Sequence, residues 1–260
     1  MKRVDYDRQQ YAVYARARAL SPAQVAEWTT AFARHAPVHR PLAVLDLGSG
    51  TGRFTPALAD AFGGPVYGVE PAARMRAVAE ESAGHPAVTY LAGRAERIPL
   101  PDASCDLVLL YLVLHHVEDR PAAATEIARV LRPGGRLLLR NPFGGRLPEL
   151  LWYRYFPGAR AVEEQVFPTL DEATATFAVA GLHGVALDII RHRFADSLTE
   201  YAGRLRLRGI STFEHLSEAE IARGFAALDA DVAAETQAQP VVEDCDLLVL
   251  AKSAQDIARA

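Results

Sequence analysis

Along this 260-residue chain, short apolar runs alternate with stretches whose apolar residues recur at helical spacing. Val44-Leu45-Asp46-Leu47 and Val66-Tyr67-Gly68-Val69 read as strands, and the longest apolar run is Leu107 to Leu114. The pattern predicts strands near 42–47, 66–70, 87–92, 105–111 and 135–141, with helices near 53–63, 72–82 and 120–131. Strand and helix in alternation point to a parallel, doubly wound sheet. Ahead of it, 4–19 and 21–35 read as helices, the second opened by Ser21 as N-cap with Pro22 at the first helical position. Pro37 and Pro41 then break the chain.

A second phase begins after Asn141-Pro142. Residues 143–168 are rich in aromatics and arginine, among them Trp152, Tyr153 and Tyr155. A helix near 171–180 ends at Gly181, and Val185 to Arg193 reads as a sixth strand. Residues 196–236 carry two helical patterns with a capping box at Ser217 and Glu220, and Val241 to Ala251 reads as a closing strand. The expected fold is α/β: a doubly wound, mostly parallel seven-stranded sheet with helices on both faces and an added helical lid. Its parts are N-terminal helices (1–40), an α/β core (41–142), a lid insertion (143–168), more core (169–195), a second helical insertion (196–239) and a closing strand with tail (240–260).

The most informative stretch is Asp46-Leu47-Gly48-Ser49-Gly50-Thr51-Gly52-Arg53-Phe54. A strand runs into a loop with glycine at every second position, and then a helix begins. Such a loop lets backbone approach a ligand closely, and the opening helix turn offers unpaired N–H groups. An open α/β sheet binds nucleotide-like cofactors at this place. A dinucleotide fingerprint would need a third glycine where Arg53 stands, which disfavours a nicotinamide oxidoreductase. Glu70 closes the second strand, eighteen residues after Gly52, where a carboxylate can accept both hydroxyls of a ribose.

These residues, with Gly93 to Asp102, Leu112-Val113-Leu114-His115-His116 and Arg129-Val130-Leu131-Arg132-Pro133-Gly134-Gly135, resemble the class I S-adenosylmethionine-dependent methyltransferases. The nearest likeness is to their small-molecule branch, typified by the ubiquinone/menaquinone-biosynthesis C-methyltransferases, and it is strong over roughly 40–142. The resemblance implies a closing strand antiparallel to the rest, S-adenosyl-L-methionine as cofactor and a small-molecule acceptor at carbon, oxygen or nitrogen. It implies a cofactor site of Asp46, Gly48, Ser49, Gly50, Gly52, Glu70, Pro71, Met75, Ala95, Glu96 and Leu110, with Arg18 set to pair with the cofactor carboxylate. In the family an acid usually precedes the alanine of Gly93-Arg94-Ala95-Glu96; here it is Arg94, which has no acceptor, so the adenine contact must move, with Glu96 or a backbone carbonyl as candidates. Tyr11 and Tyr14 are candidates to close over the cofactor, set against ordinary helix packing.

Methyl transfer needs an acceptor that is positioned, desolvated and, where it carries a proton, deprotonated. His115 and His116 follow the fourth strand and are the candidate general bases; as neighbours on a strand end, only one should face the acceptor. Trp152, Tyr153 and Tyr155 are candidates for an acceptor wall and equally ordinary as a packed helix face.

Composition narrows the class further. A net charge of −4 argues against binding nucleic acid through phosphate contacts. No apolar run is long enough to span a bilayer, and no signal peptide is visible, so a cytoplasmic protein, monomer or homodimer, is expected. Cys105 and Cys245 read as small buried hydrophobes. His35 and His39 read as linker residues with Pro37 between them, and no metal is expected. Two further readings stay open: a non-methylating enzyme such as a cyclase that keeps the bound cofactor, and a binding protein with a vestigial site.

Overall fold

The computed structural model describes residues 16–254. The expected helix over 4–19, with Tyr11 and Tyr14, lies for the most part outside the described residues. Seven strands form one sheet in the order β3-β2-β1-β4-β5-β7-β6. They are β1 (Val44–Leu47), β2 (Val66–Glu70), β3 (Val88–Ala92), β4 (Cys105–Tyr111), β5 (Leu131–Arg140), β6 (Leu182–Ala195) and β7 (Val241–Lys252). β1 to β5 pair in parallel, and β7 runs antiparallel to both β5 and β6. The doubly wound sheet and the reversed closing strand are therefore as expected.

β1 and β4 are buried along their whole length, which is why they read as continuous apolar runs rather than alternating ones. One face packs on α1 (Pro22–His35) and α2 (Thr55–Phe62) through Trp28, Phe32, Leu58 and Phe62. The other packs on α4 (Arg120–Val130) and α7 (Leu170–Val179) through Ala124, Ile127 and Phe177, and α3 (Ala73–Ser82) lies beyond β2 and β3. α1 starts where Ser21 and Pro22 place it: the Ser21 side chain accepts from the Gln24 amide and the Gln24 side chain returns a bond to the Ser21 amide.

Several boundaries differ from the sequence reading. β5 starts at Leu131, because the Pro133-Gly134-Gly135 turn is absorbed as an irregularity with Gly134 at φ 78°. β6 is five residues longer than expected, and residues 189–195 pair with 241–246, past the last β5–β7 pair at Arg140 and Leu247. A two-stranded arm thus projects beyond the carboxyl edge of the sheet. His35 and His39 are not idle linker residues: His35, the last residue of α1, meets Asp188 at 2.7 Å, and His39 lies 3.4 Å from Asp106.

The two insertions pack on each other. α5 (Trp152–Tyr155), α6 (Pro157–Val166), α8 (Leu198–Arg206), a three-ten turn (Ser211–His215) and α9 (Glu218–Ala234) share an apolar cluster separate from the two sheet faces. Phe213 meets Trp152 and Phe156 edge to face, as Phe225 meets Phe156, and Phe213 stacks on Phe225, with ring centroids 5.1–6.0 Å apart. The capping box expected at Ser217 forms only by half: Ser217 accepts from the Glu220 amide, but the Glu220 carboxylate accepts instead from the Gly158 amide at 2.8 Å. That substitution ties the start of α9 to the start of α6.

The α9–α5 crossing is close because Gly224 has no side chain. A Cβ there would meet Phe156 Cε1 at 2.3 Å and the Tyr155 carbonyl at 2.6 Å. Gly224→Ala should lower stability by about 1–3 kcal/mol, the usual cost of overpacking, despite the better helix propensity of alanine. Chemical denaturation measures it; an unchanged or raised midpoint would contradict this packing.

Candidate functional site

The glycine loop leaves β1 at Leu47 and crosses the carboxyl ends of β1 and β2. Gly48, Gly50 and Gly52 all sit at positive φ, between 57° and 77°, a region that disfavours side chains. Space forbids them as well: a Cβ on Gly48 would lie 2.5 Å from Val113, and one on Gly52 would lie 2.4 Å from the Tyr90 hydroxyl. The Gly48 and Ser49 amides both donate to the Val69 carbonyl, at 2.8 and 3.2 Å.

Glu70 fastens the loop from the side. One carboxylate oxygen accepts from the Gly50 amide at 3.0 Å and the other from the Ala72 amide at 2.9 Å. Each oxygen keeps a second lone pair for a ligand hydroxyl. Burial pushes the Glu70 carboxyl up, the two amides pull it down, and nearby Asp46 pushes it up again. Asp46 lies beneath the loop, accepts from the Thr55 hydroxyl at 2.7 Å, and is raised to about 6 by burial, against the pull of Thr55 and Arg53. The buried Ser49 hydroxyl has no hydrogen-bond partner among the described residues.

The other expected cofactor residues are placed variously. Met75 is buried in the first turn of α3, Ala95 is buried, and Pro71 is exposed. Arg94 is exposed. Glu96 accepts from the Glu118 and Asp119 amides through one oxygen, at 3.0 and 3.4 Å. Leu110 is fully buried in the sheet core among Leu45, Val69 and Leu139, so its side chain does not flank an open crevice. The residue that faces space at the end of β4 is Leu112, held at φ 61°.

Beyond β4 lies a narrow, partly open cavity of about 80 Å³. Its lining comes from the end of β4 (Leu112, His115, His116), the end of β5 (Arg140), the insertions (Trp152, Glu163, Phe167, Tyr201, Thr212) and the projecting arm (Phe194, Glu243). Arg18 lines it too and also borders the hollow beside Thr51 and Gly52; its Nε donates to the Gly209 carbonyl at 3.2 Å. Arg18 therefore stands between the glycine loop and this cavity.

The two histidines do not point opposite ways. Leu114–His116 is a three-ten turn rather than strand, the imidazole centroids are 3.9 Å apart, and both line the cavity. The Asn141 amide nitrogen donates to the Pro142 carbonyl at 2.5 Å, so its oxygen faces His115 Nδ1 at 3.1 Å. That network assigns the proton to Nδ1 and leaves the Nε2 lone pair free. Burial holds His115 well below the usual histidine value, with His116, Arg18 and Arg140 acting in the same direction.

Two of the three aromatics proposed for the acceptor wall are tied up within the insertions instead. Tyr153 donates to buried Glu163 at 2.5 Å and Tyr155 to Asp231 at 2.8 Å, while Trp152 reaches the cavity. Glu163 also accepts from Thr212 at 2.9 Å, so it bridges the two insertions at the cavity edge. Glu163, Arg140 and Glu243 carry no motif; they come together only through the tertiary fold.

The stretch that holds the loop and the acid is similar in sequence to known proteins. A family model described as a methyltransferase domain matches residues 45–139. The demethylmenaquinone methyltransferase of Bacillus licheniformis is 30% identical over 163 residues, covering 54% of this chain and 70% of that protein. The chain belongs to the class I S-adenosylmethionine-dependent methyltransferase family. An "uncharacterized methyltransferase" of Mycobacteroides abscessus is 41% identical over 128 residues, 45% of this chain and 48% of its own length. The chain thus spans about half the length of that relative. A solved structure from Anabaena variabilis, described as a "putative methyltransferase from antibiotic biosynthesis pathway", superposes with a TM-score of 0.69 at 25% identity, over 88% of this chain and 99% of that one. The family match ends at Leu139, one residue before the first charged side chain of the cavity floor.

In this methyltransferase the residues present fit the family's cofactor. Gly48 and Gly52 stand where a Cβ would clash, the buried Ser49 hydroxyl lacks a partner among the described residues, and Glu70 has lone pairs to offer. Among the described residues no group of side chains could hold a metal ion, and no helix is long and apolar enough to cross a membrane.

Asp46 supplies a test of this arrangement without any ligand. Its folded-state carboxyl keeps its proton up to about pH 6, whereas the unfolded one releases it near 3.8. Between those values the folded state binds more protons, so the contribution of Asp46 to stability falls as pH rises. At neutral pH Asp46→Asn should be more stable than wild type by up to about 3 kcal/mol, with the advantage growing from pH 4 to 6.5. Thermal denaturation of both proteins across that range measures it; a variant that is less stable at neutral pH would contradict the placement of this carboxyl.

Proposed function

We propose that this protein transfers the methyl group of S-adenosylmethionine to a small organic acceptor held in the cavity beneath the two insertions. The observation that carries the reading is the juxtaposition of the Glu70-clamped glycine loop with a lined cavity that has an unprotonated His115 nitrogen available. When bound, the cofactor supplies a methyl group activated on a sulfonium. The backbone of Gly48, Ser49, Gly50 and Gly52 and the side chains of Asp46, Glu70, Met75, Ala95 and Glu96 would hold it, with Pro71 beside Glu70 and Arg18 toward its carboxylate.

The protein's own work is then positioning and proton management. The insertions form a lid, and their shared core, braced by Glu220 on the Gly158 amide and by Glu163 between Tyr153 and Thr212, keeps water from the acceptor. His115, fixed by Asn141, takes the acceptor's proton at Nε2 where the acceptor carries one. His116 closes the same wall. Two buried thiols with no disulfide fit a reducing cytoplasm.

A second reading keeps the cofactor without the transfer. The fold is shared with the (4+2)-cyclase SpnF at a TM-score of 0.60 and 20% identity, a likeness of fold alone. Product mass separates the two, because transfer adds one methylene unit.

Calorimetric titration with S-adenosylhomocysteine tests the cofactor. Saturable one-to-one binding is expected, weakened at least about tenfold in Glu70→Ala, since each lost charge-assisted hydrogen bond is worth roughly 1.5–3 kcal/mol. Absence of binding by the wild-type protein would overturn the reading, and unchanged affinity in the variant would remove Glu70 from the site. With an accepted substrate, His115→Ala should lower kcat by about 10²–10⁴. Because burial depresses His115, the acid limb of the wild-type profile should lie below pH 6.5 and vanish in the variant. A limb that persists in His115→Ala would assign the base elsewhere.

A further inference from the structure

The cavity floor holds two charged groups that the proposed reaction leaves unused. Arg140, at the very end of β5, lies over the Tyr111 ring at 5.3 Å and gives one N–H to the Cys245 sulfur at 3.0 Å. Its Nε is buried without a partner among the described residues. A guanidinium carries five donors, and a thiol sulfur is a weak acceptor, so most of its hydrogen-bonding capacity is unspent.

Glu243 stands close by on the projecting arm. It is opposite His192 in the β6–β7 ladder and shares a face of β7 with Cys245. Among the described residues its carboxylate accepts no hydrogen bond and lies within 4 Å of no cation, yet it feels the fields of Arg140 and Arg18. Burial pushes it up while those two guanidinium groups pull it down. A carboxylate and a guanidinium that line one cavity would ordinarily pair. Here both are left with free valences turned on the same space.

The wider lining fixes the charge that this space accepts. Among the described residues the lining charges with unspent valences are Arg140 and Glu243, one of each sign; Arg18 is assigned to the cofactor carboxylate, Glu163 is bonded to Tyr153 and Thr212, and burial disfavours a charge on His115. An acceptor with a net charge of either sign would leave one buried charge unbalanced, which is costly. Trp152, Phe167, Phe194 and Tyr201 supply aromatic surface around it.

We propose that Arg140 and Glu243 form the polar clamp of the acceptor subsite, and that the acceptor is an uncharged aromatic compound bearing a hydroxyl donor and a second oxygen as acceptor. Glu243 accepts from the hydroxyl-type donor and Arg140 donates to the second oxygen. This rests on reading the cavity as the acceptor site of a methyl transfer. Both residues lie outside the stretch shared with the methyltransferase family model, as a specificity device would.

A matched set of probes tests it: meta-hydroxyacetophenone (neutral), meta-hydroxybenzoate (anionic) and meta-hydroxybenzylamine (cationic), which share one ring and one hydroxyl. Their affinities are measured by ligand-observed magnetic resonance on protein saturated with S-adenosylhomocysteine, which lacks the sulfonium charge. The titrations are run near pH 8, where an ordinary histidine is neutral. The ketone is expected to bind the wild-type protein more tightly than either ion. Glu243→Gln should favour the benzoate, relative to the ketone, by at least about tenfold over wild type, and Arg140→Gln should do the same for the amine. A wild-type preference for an ion, no saturable binding of the ketone, or a Glu243→Gln ranking equal to wild type would overturn the proposal. Calorimetry of S-adenosylhomocysteine on the same samples keeps the two readings apart. If the nucleotide binds and the charge pattern fails, only the clamp falls; if the nucleotide does not bind, the cofactor reading falls first.

Discussion

The two bonds that Glu70 accepts, from Gly50 on one side and Ala72 on the other, hold the rest of the site in place. Glycine at three alternate positions gives the loop more freedom than any other stretch of its length, and that freedom would be lost on ligand binding without an internal tether. The carboxylate supplies the tether from a neighbouring strand, and the Val69 carbonyl adds two more bonds from the same strand end. The loop is thus shaped before a ligand arrives. The cost is two buried carboxyls side by side, Asp46 and Glu70, each pushed toward its neutral form by the same burial. Function and stability pull in opposite directions here, as they do wherever a site must keep unspent polar groups away from water.

The second half of the site depends on a different device. The sheet ends at Arg140, but β6 and β7 continue as a two-stranded arm, and the arm is what brings Phe194 and Glu243 across from His115. The insertions then cover the space, and their cohesion is internal. Their apolar cluster is their own, and their polar ties (Glu220 to Gly158, Tyr153 and Thr212 to Glu163) run from one insertion to the other.

The nucleotide side of this architecture was legible in sequence because its determinants are local. The Asp46–Phe54 loop, the strand ending in Glu70 and the Ser21-Pro22 helix start each fit within a dozen residues, and each sits where its pattern placed it. The cavity side was not legible. Its polar residues, Arg140, Glu163 and Glu243, are separated by up to about a hundred residues and follow no spacing rule. Local reasoning also failed where the backbone changed geometry within a residue or two. Treating the end of β4 as extended split the histidines, whereas the turn beginning at Leu112 brings them together. The capping box at Ser217 failed for the opposite reason, since a tertiary partner, the Gly158 amide, outcompeted the local one.

The central claim is that the Glu70-tethered loop is where the cofactor sits. Hydrogen–deuterium exchange of the protein with and without S-adenosylhomocysteine tests it residue by residue. The account predicts slowed exchange concentrated in 46–54 and 69–76, with the outer helices of the insertions little changed. Slowed exchange elsewhere with those two segments unaltered would contradict it.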